Sequence, residues 1–277
     1  MTYTRNLRTI VLLTVLLALM AVSASAGPTI WGGTTNYLGY YVDPASGATL
    51  PAPNGILTFG ASSSPYSGWV FVTSPINLWK VPVMAAGTPE GLGPYSTVPM
   101  TDLAFDSGSG TLYGIADPFM SGELYTIDYS CPGYGCMATS LGVSMPLVQG
   151  IDFVPGRGIY GADINGTLWR LDPKTLQLSL VGDTGVSGIT DLAYDSFAQK
   201  LIAVSVGIKC YPYPSQCGPD FGMIWSIDPL TAQTVLLNGN APPIYGLAEL
   251  TPEPGSVILF TTGVVGLLAA VRRRLVR

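Results

Sequence analysis

Asp102, Asp152 and Asp191 are the side chains of this 277-residue chain whose type and spacing could do chemistry. Asp102 and Asp191 hold the same place in two copies of one phrase, Thr101-Asp102-Leu103-Ala104-Phe105-Asp106 and Thr190-Asp191-Leu192-Ala193-Tyr194-Asp195. Asp152 lies two positions further along in a third copy, Gln149-Gly150-Ile151-Asp152-Phe153-Val154. Carboxylates converging from separate strands can hold Ca2+ together with backbone carbonyls, or serve as acid and base in hydrolysis or elimination. An aspartate at a strand start also caps turns by accepting backbone N–H groups, and its recurrence across copies favours that scaffold job. The three are therefore candidate site carboxylates, and no catalytic residue is assigned.

The chain contains no histidine. That removes His-ligated zinc, copper and haem, the Ser-His-Asp triad and the Cys-His pair. No nucleophile elbow, paired-glutamate phrase or cofactor motif takes their place, so Ca2+ is the one cofactor the carboxylates suggest. Trp69, Trp79, Trp169 and Trp225 could stack on sugar rings, but three of the four fall in a repeating strand phrase, which favours a packing role.

The elements that must carry these residues are strands. Between Gly27 and Thr251 no stretch keeps a helical apolar period, whereas short alternating runs bounded by Gly, Asp and Pro recur. The phrase that holds the aspartates appears a fourth time as Tyr245-Gly246-Leu247-Ala248-Glu249-Leu250. A second phrase follows each of the first three copies: Leu112-Tyr113-Gly114-Ile115, Ile159-Tyr160-Gly161-Ala162 and Leu201-Ile202-Ala203-Val204. A third closes each unit: Leu124-Tyr125-Thr126-Ile127-Asp128, Leu168-Trp169-Arg170-Leu171-Asp172 and Ile224-Trp225-Ser226-Ile227-Asp228. Tyr40-Tyr41-Val42-Asp43 and Leu78-Trp79-Lys80-Val81 fit this third phrase too, which brings its count to five. Asp43-Pro44, Asp172-Pro173 and Asp228-Pro229 then read as hairpins to a last strand, and Asn165-Gly166 as a further tight turn.

Repeats of this length with several strands suit β-propeller blades. The expected fold is all-β, a propeller of five blades over residues 27–250 in which the N- and C-terminal strands close one blade. The rhythm resembles NHL- and YVTN-type propeller repeats at the level of pattern. An open β-sandwich is the competing architecture, and the first 70 residues are irregular enough to leave one blade incomplete.

The two ends carry an itinerary. Arg5 and Arg8 precede an apolar core, Ile10 to Val22, which runs into Ala24-Ser25-Ala26. This reads as a secretory signal peptide over residues 1–26, cleaved after Ala26 with Ala24 as the other small residue. At the other end Thr251-Pro252-Glu253-Pro254-Gly255-Ser256 is followed by an apolar run, residues 257–271, and then by Arg272, Arg273, Arg274 and Arg277. Fifteen apolar residues are short of the roughly 20 a spanning helix needs, so arginine snorkelling must help a transmembrane helix there. The same arginines would stay cytoplasmic and leave the domain outside.

That order of elements resembles the PEP-CTERM sorting signal of Gram-negative bacteria that make extracellular polysaccharide. The resemblance covers residues 251–277 and implies recognition of Pro252, Glu253 and Pro254 by an exosortase after export by the Sec machinery through the inner membrane. It also implies a final site at the cell surface or beyond, with exopolysaccharide or envelope proteins as partners.

Without the two ends, six basic residues face sixteen acids, a net charge near minus ten. Such a surface repels nucleic acid. In an exported chain Cys131 with Cys136, and Cys210 with Cys217, read as two disulfides closing short loops, each worth on the order of 2 kcal/mol. Tyr134, Tyr211 and Tyr213 in these loops would suit a recognition surface. The function expected is a non-catalytic surface or matrix propeller; the alternative is a secreted carboxylate-dependent hydrolase or lyase acting at the channel mouth.

Overall fold

The computed structural model describes residues 29–250 except 67, 75–76, 84–86, 95–98, 117–121, 131–135, 146 and 207–220. The expected signal and sorting segments, with Ala24, Ala26, residues 252–254 and the four terminal arginines, lie outside the described residues, as do Cys131, Cys210 and Cys217. Among the described residues no helix is long and apolar enough to cross a membrane.

Among the described residues twenty strands form five four-stranded antiparallel sheets. The chain first lays down β1 (Thr29–Gly33), β2 (Gly39–Val42) and β3 (Thr49–Ala52). The second blade is β4 (Gly60–Ser63), β5 (Trp69–Ser74), β6 (Asn77–Pro82) and β7 (Glu90–Pro94). The third is β8 (Met100–Asp106), β9 (Thr111–Ala116), β10 (Glu123–Ile127) and β11 (Ala138–Ser144). The fourth is β12 (Val148–Val154), β13 (Gly158–Asp163), β14 (Thr167–Asp172) and β15 (Gln177–Asp183). The fifth is β16 (Ile189–Asp195), β17 (Lys200–Val206), β18 (Gly222–Ile227) and β19 (Thr234–Ala241). Finally β20 (Gly246–Leu250) returns to pair with β1, from Thr29 opposite Leu250 to Gly33 opposite Gly246. The first blade is thus ordered β20-β1-β2-β3, and the ring is closed by the two ends of the domain in one sheet. The five-blade expectation and its closure hold. Blades one and two are complete, so the irregular opening sequence does not leave a blade short.

The strand phrases form because both faces of each sheet are covered. Five apolar clusters divide cleanly into the five interfaces between neighbouring blades. Phe71 and Leu78 of blade two pack with Leu103, Phe105 and Leu112 of blade three. Ala104 and Ile115 of blade three meet Val148, Ile151 and Leu171 of blade four. Leu168 of blade four meets Leu192 and Tyr194 of blade five, and Ile202 of blade five meets Ile30 and Leu247 of blade one. Trp31, Ala248 and Leu250 of blade one then meet Val70, Val72 and Val81 of blade two. Each such buried aliphatic contributes about 1.5–3 kcal/mol relative to leaving it in water.

The hairpins between third and fourth strands share one geometry. Asp43, Asp172 and Asp228 each accept the backbone N–H two residues on, from Ala45 (3.0 Å), Lys174 (2.8 Å) and Leu230 (2.8 Å). Each turn closes on a residue in the left-handed region: Gly47 (φ 69°), Leu176 (φ 57°) and Ala232 (φ 59°). Only glycine adopts that region without steric cost, and Leu176 is more than a third exposed. Leu176→Gly is therefore expected to raise stability by about 1 kcal/mol, read from the urea midpoint of purified domain.

Candidate functional site at the propeller axis

The innermost strands β20, β4, β8, β12 and β16 meet around the axis, and one position in each decides what the axis holds. In order from blade one to blade five these residues are Gly246, Gly60, Asp102, Gly150 and Asp191. A register irregularity precedes this position in blades three, four and five, between Met100 and Asp102, Val148 and Gly150, and Ile189 and Asp191. Such bulges re-aim the residue that follows.

Each aspartate side chain faces the next blade and binds its backbone. Asp102 accepts the N–H of Leu103 (2.8 Å) on its own strand and that of Ile151 (2.6 Å) on β12. Asp191 accepts the N–H of Leu192 (2.5 Å), of Leu247 on β20 (2.5 Å) and, at 3.4 Å, of Ala61 on β4. Asp152, one layer along the axis, accepts the N–H of Phe153 (2.7 Å) and of Tyr194 on β16 (2.5 Å). The three candidate carboxylates therefore stitch blade three to four, four to five, and five to one, with a further reach to blade two.

The carboxyls of Asp102 and Asp191 also meet across the axis, close enough to share a hydrogen bond when one of them is protonated. Both are fully buried. Burial raises both well above the usual carboxylate range, and the charge of Asp191 adds to the rise at Asp102.

The glycines make the closure possible. A Cβ on Gly60 would fall 2.4 Å from both the Cα and Oδ1 of Asp102, and one on Gly150 would fall 2.5 Å from the Cα of Asp191. A Cβ on Gly246 would fall 2.4 Å from Thr58 Cγ2 and 3.0 Å from Ala61 N. Two carboxyls and three glycines shut the axis at this level. The position of Asp102 and Asp191 in equivalent phrases was legible in the sequence, but it suggested a channel mouth, and the structure places the pair out of reach of solvent.

The acids set a pH dependence. Asp152 is pushed up from 3.8 to about 7, chiefly by burial, with its two backbone bonds opposing and the Glu249 charge adding. Glu249 is itself raised by burial. Groups raised in this way bind more protons folded than unfolded, so their stabilisation is complete below about pH 4 and is lost as pH rises through the folded value. Asp128 and Asp172 are lowered by hydrogen bonds in their turns and Asp228 chiefly by the bond from Lys200, and they oppose this only as pH falls below the ordinary aspartate range. Stability is expected to fall by about 2 kcal/mol or more between about pH 5 and pH 8, measured by urea unfolding at constant ionic strength.

The tryptophans of the third phrase are half-buried between blades. Trp79 Nε1 donates to Ser74 Oγ (3.1 Å), Trp169 Nε1 to Asp163 Oδ2 (3.2 Å) and Trp225 Nε1 to Ser205 Oγ (3.0 Å). Trp69 differs: Lys80 Nζ lies 4.7 Å from its ring centroid and equally far from that of Tyr66, while pairing with Glu90 at 2.8 Å. Cys136 is buried beside Phe71 and Leu103. Among the described residues no three or more Asp, Glu, Cys or His are gathered to hold a metal ion, Ca2+ included, and there is no free thiol.

No protein-family model and no curated protein sequence matches the chain. Solved structures do. A chain of the crystal structure of a nidogen/laminin complex aligns with a TM-score of 0.53 at 12% identity, over 81% of this chain and 99% of that one. Glutaminyl cyclase from Myxococcus xanthus aligns at 0.46 and 15% identity, over 79% and 74% of the two chains. TolB from Acinetobacter baumannii aligns at 0.47 and 9%, over 81% and 67%. The first likeness shows the propeller fold, and at these identities none shows more.

Proposed function

We propose that this chain is an exported cell-surface or matrix propeller that works as a non-catalytic interaction scaffold. The observation that carries this reading is the shut axis. The only carboxylates that converge in the described ring bind backbone N–H groups of neighbouring blades, and Asp102 and Asp191 have no solvent contact. A substrate cannot meet an acid that is buried and already bonded.

In this proposal Pro252-Glu253-Pro254 is the processing step of a sorting tail, read by an exosortase after Sec export, and residues 257–271 hold the precursor in the membrane. Exopolysaccharide or envelope proteins are the partners. The cysteines close two disulfides, Cys131 to Cys136 and Cys210 to Cys217, which stiffen loops in an oxidising compartment. In the chain the first of these loops lies between a third strand and a fourth, and the second between a second strand and a third.

The test has two parts. Replacing Pro252, Glu253 and Pro254 together by alanine should leave an unprocessed, membrane-bound precursor and abolish delivery to the surface. The processed domain should co-sediment with exopolysaccharide or envelope from its own host while leaving polymer length unchanged. Normal processing of the triple variant would contradict the sorting step, and shortening of the polymer would contradict the non-catalytic role.

A further inference from the structure

In blades two to five the innermost strand ends and the second begins at one end of the blade, here called the lower face, where the third strands of all five blades also end. In blade one the innermost strand is β20 and the second is β1, so the lower face has no hairpin there and instead releases both ends of the domain, beside the pair Thr29 and Leu250. The chain enters and leaves from one side of the disc.

The turns next to this exit are apolar at their tips. Ser196 N–H donates to Glu249 Oε1 at 2.9 Å, which fastens the β16–β17 turn to the residue before Leu250. Phe197 follows in that turn and is 77% exposed. Lys200 Nζ pairs with Asp228 Oδ2 at 2.5 Å and joins the same turn to the β18–β19 turn, where Leu230 is 63% exposed. Asp195 and Asp228 point back into their own turns, accepting the N–H groups of Phe197, Ala198 and Leu230, so the apolar side chains lead.

We propose that in the unprocessed precursor this part of the lower face lies against a lipid bilayer, with Phe197 and Leu230 seated among the headgroups. The proposal rests on the reading that residues 257–271 enter the membrane. Seven residue steps separate Leu250 from Val257, a span of at most about 25 Å when fully extended. A domain of this size is roughly 45 Å across, so the tether cannot let the disc turn over and present its upper face. Lower turns of the other blades carry Asp43, Asp106, Asp128 and Asp172, which favours a zwitterionic surface over an anionic one. An exposed phenylalanine beside a membrane entry point is the arrangement that interfacial seating uses.

The test uses the full chain reconstituted in zwitterionic phosphatidylcholine vesicles, with an environment-sensitive fluorophore on F197C or, in a second preparation, on N36C in the upper β1–β2 turn. Nitroxide-bearing lipid is expected to quench the label at position 197 at least about twofold more than the label at 36. Equal quenching in chain that floats with the vesicles overturns the proposal and leaves the tail reading standing. Chain that fails to float overturns the tail reading and the proposal with it. Oxidative cross-linking of F197C between two copies, without preferential quenching, assigns the face to a second copy instead and overturns the proposal.

Discussion

A chain ending at Leu250 is expected to unfold cooperatively, and a chain ending at Pro243 is expected not to fold. The seven residues between them supply Ile244, Leu247, Ala248 and Leu250, all buried, to the two interfaces that flank blade one. Their loss removes about 6 kcal/mol or more of apolar burial even before cavities are counted. It also strips β1 of its inner partner over five residue pairs and leaves Asp191 without the N–H of Leu247. Domains of this size have net stabilities of roughly 5–15 kcal/mol, so the deficit is comparable to the whole. Near-ultraviolet circular dichroism and a urea titration of the two chains decide the matter. A cooperative transition in the shorter chain would mean that the ring does not depend on its closing strand.

Gly60→Ala is expected to cost about 3 kcal/mol, although an exposed strand glycine normally gains stability on this change. The reason is local: the new methyl group would stand 2.4 Å from the Asp102 backbone, from its Oδ1 and from the Thr101 carbonyl oxygen. Two of these are main-chain atoms in a closed ring, and moving them shifts β8 against β12. Gly239→Ala on the edge strand β19 is the control, since its Cβ would meet nothing nearer than Leu236 Cδ2 at 3.7 Å. Thermal midpoints of the two variants should differ by roughly 5 °C or more for a domain of this length. Equal midpoints would show that the axis has room to spare.

Much of the ring was legible because its strands repeat a pattern of large apolar and aromatic residues. The third phrase puts an aromatic in each of β2, β6, β10, β14 and β18, and an Asp follows in all but β6, since packing between two neighbouring blades needs large side chains on both faces. The closing strand was legible as a fourth copy of the inner phrase with no second strand after it. Strand β4 was not, because Gly60-Ala61-Ser62-Ser63 carries no large apolar residue. It sits where the ring is tightest, and small side chains are what that place accepts.

The same crowding hid the meaning of the aspartates. Phrase alignment put Asp102 and Asp191 level with Gly150 and Gly246, and an alternation of Asp with Gly at one position already implies that only some members can carry a side chain there. What the alignment could not convey is that the carboxyls of blades three and five reach each other across the glycine of blade four. That depends on how far each strand leans towards the axis, which the bulges after Met100, Val148 and Ile189 control. The offset of Asp152 by two residues is likewise structural: it keeps the same face of the strand but drops one layer, where Ala104, Ala193 and Ala248 leave space.

The central claim is that the axial carboxyls hold the blades together and are not available to a ligand. Unfolding of Asp191→Ala by urea at about pH 5 tests it most directly, because that side chain bonds three blades and pairs with Asp102. The expected result is a loss of about 3 kcal/mol or more, from three N–H groups left without their acceptor and a cavity at the axis. Stability unchanged to within about 0.5 kcal/mol would contradict it and return Asp191 to the list of groups free to act on a substrate.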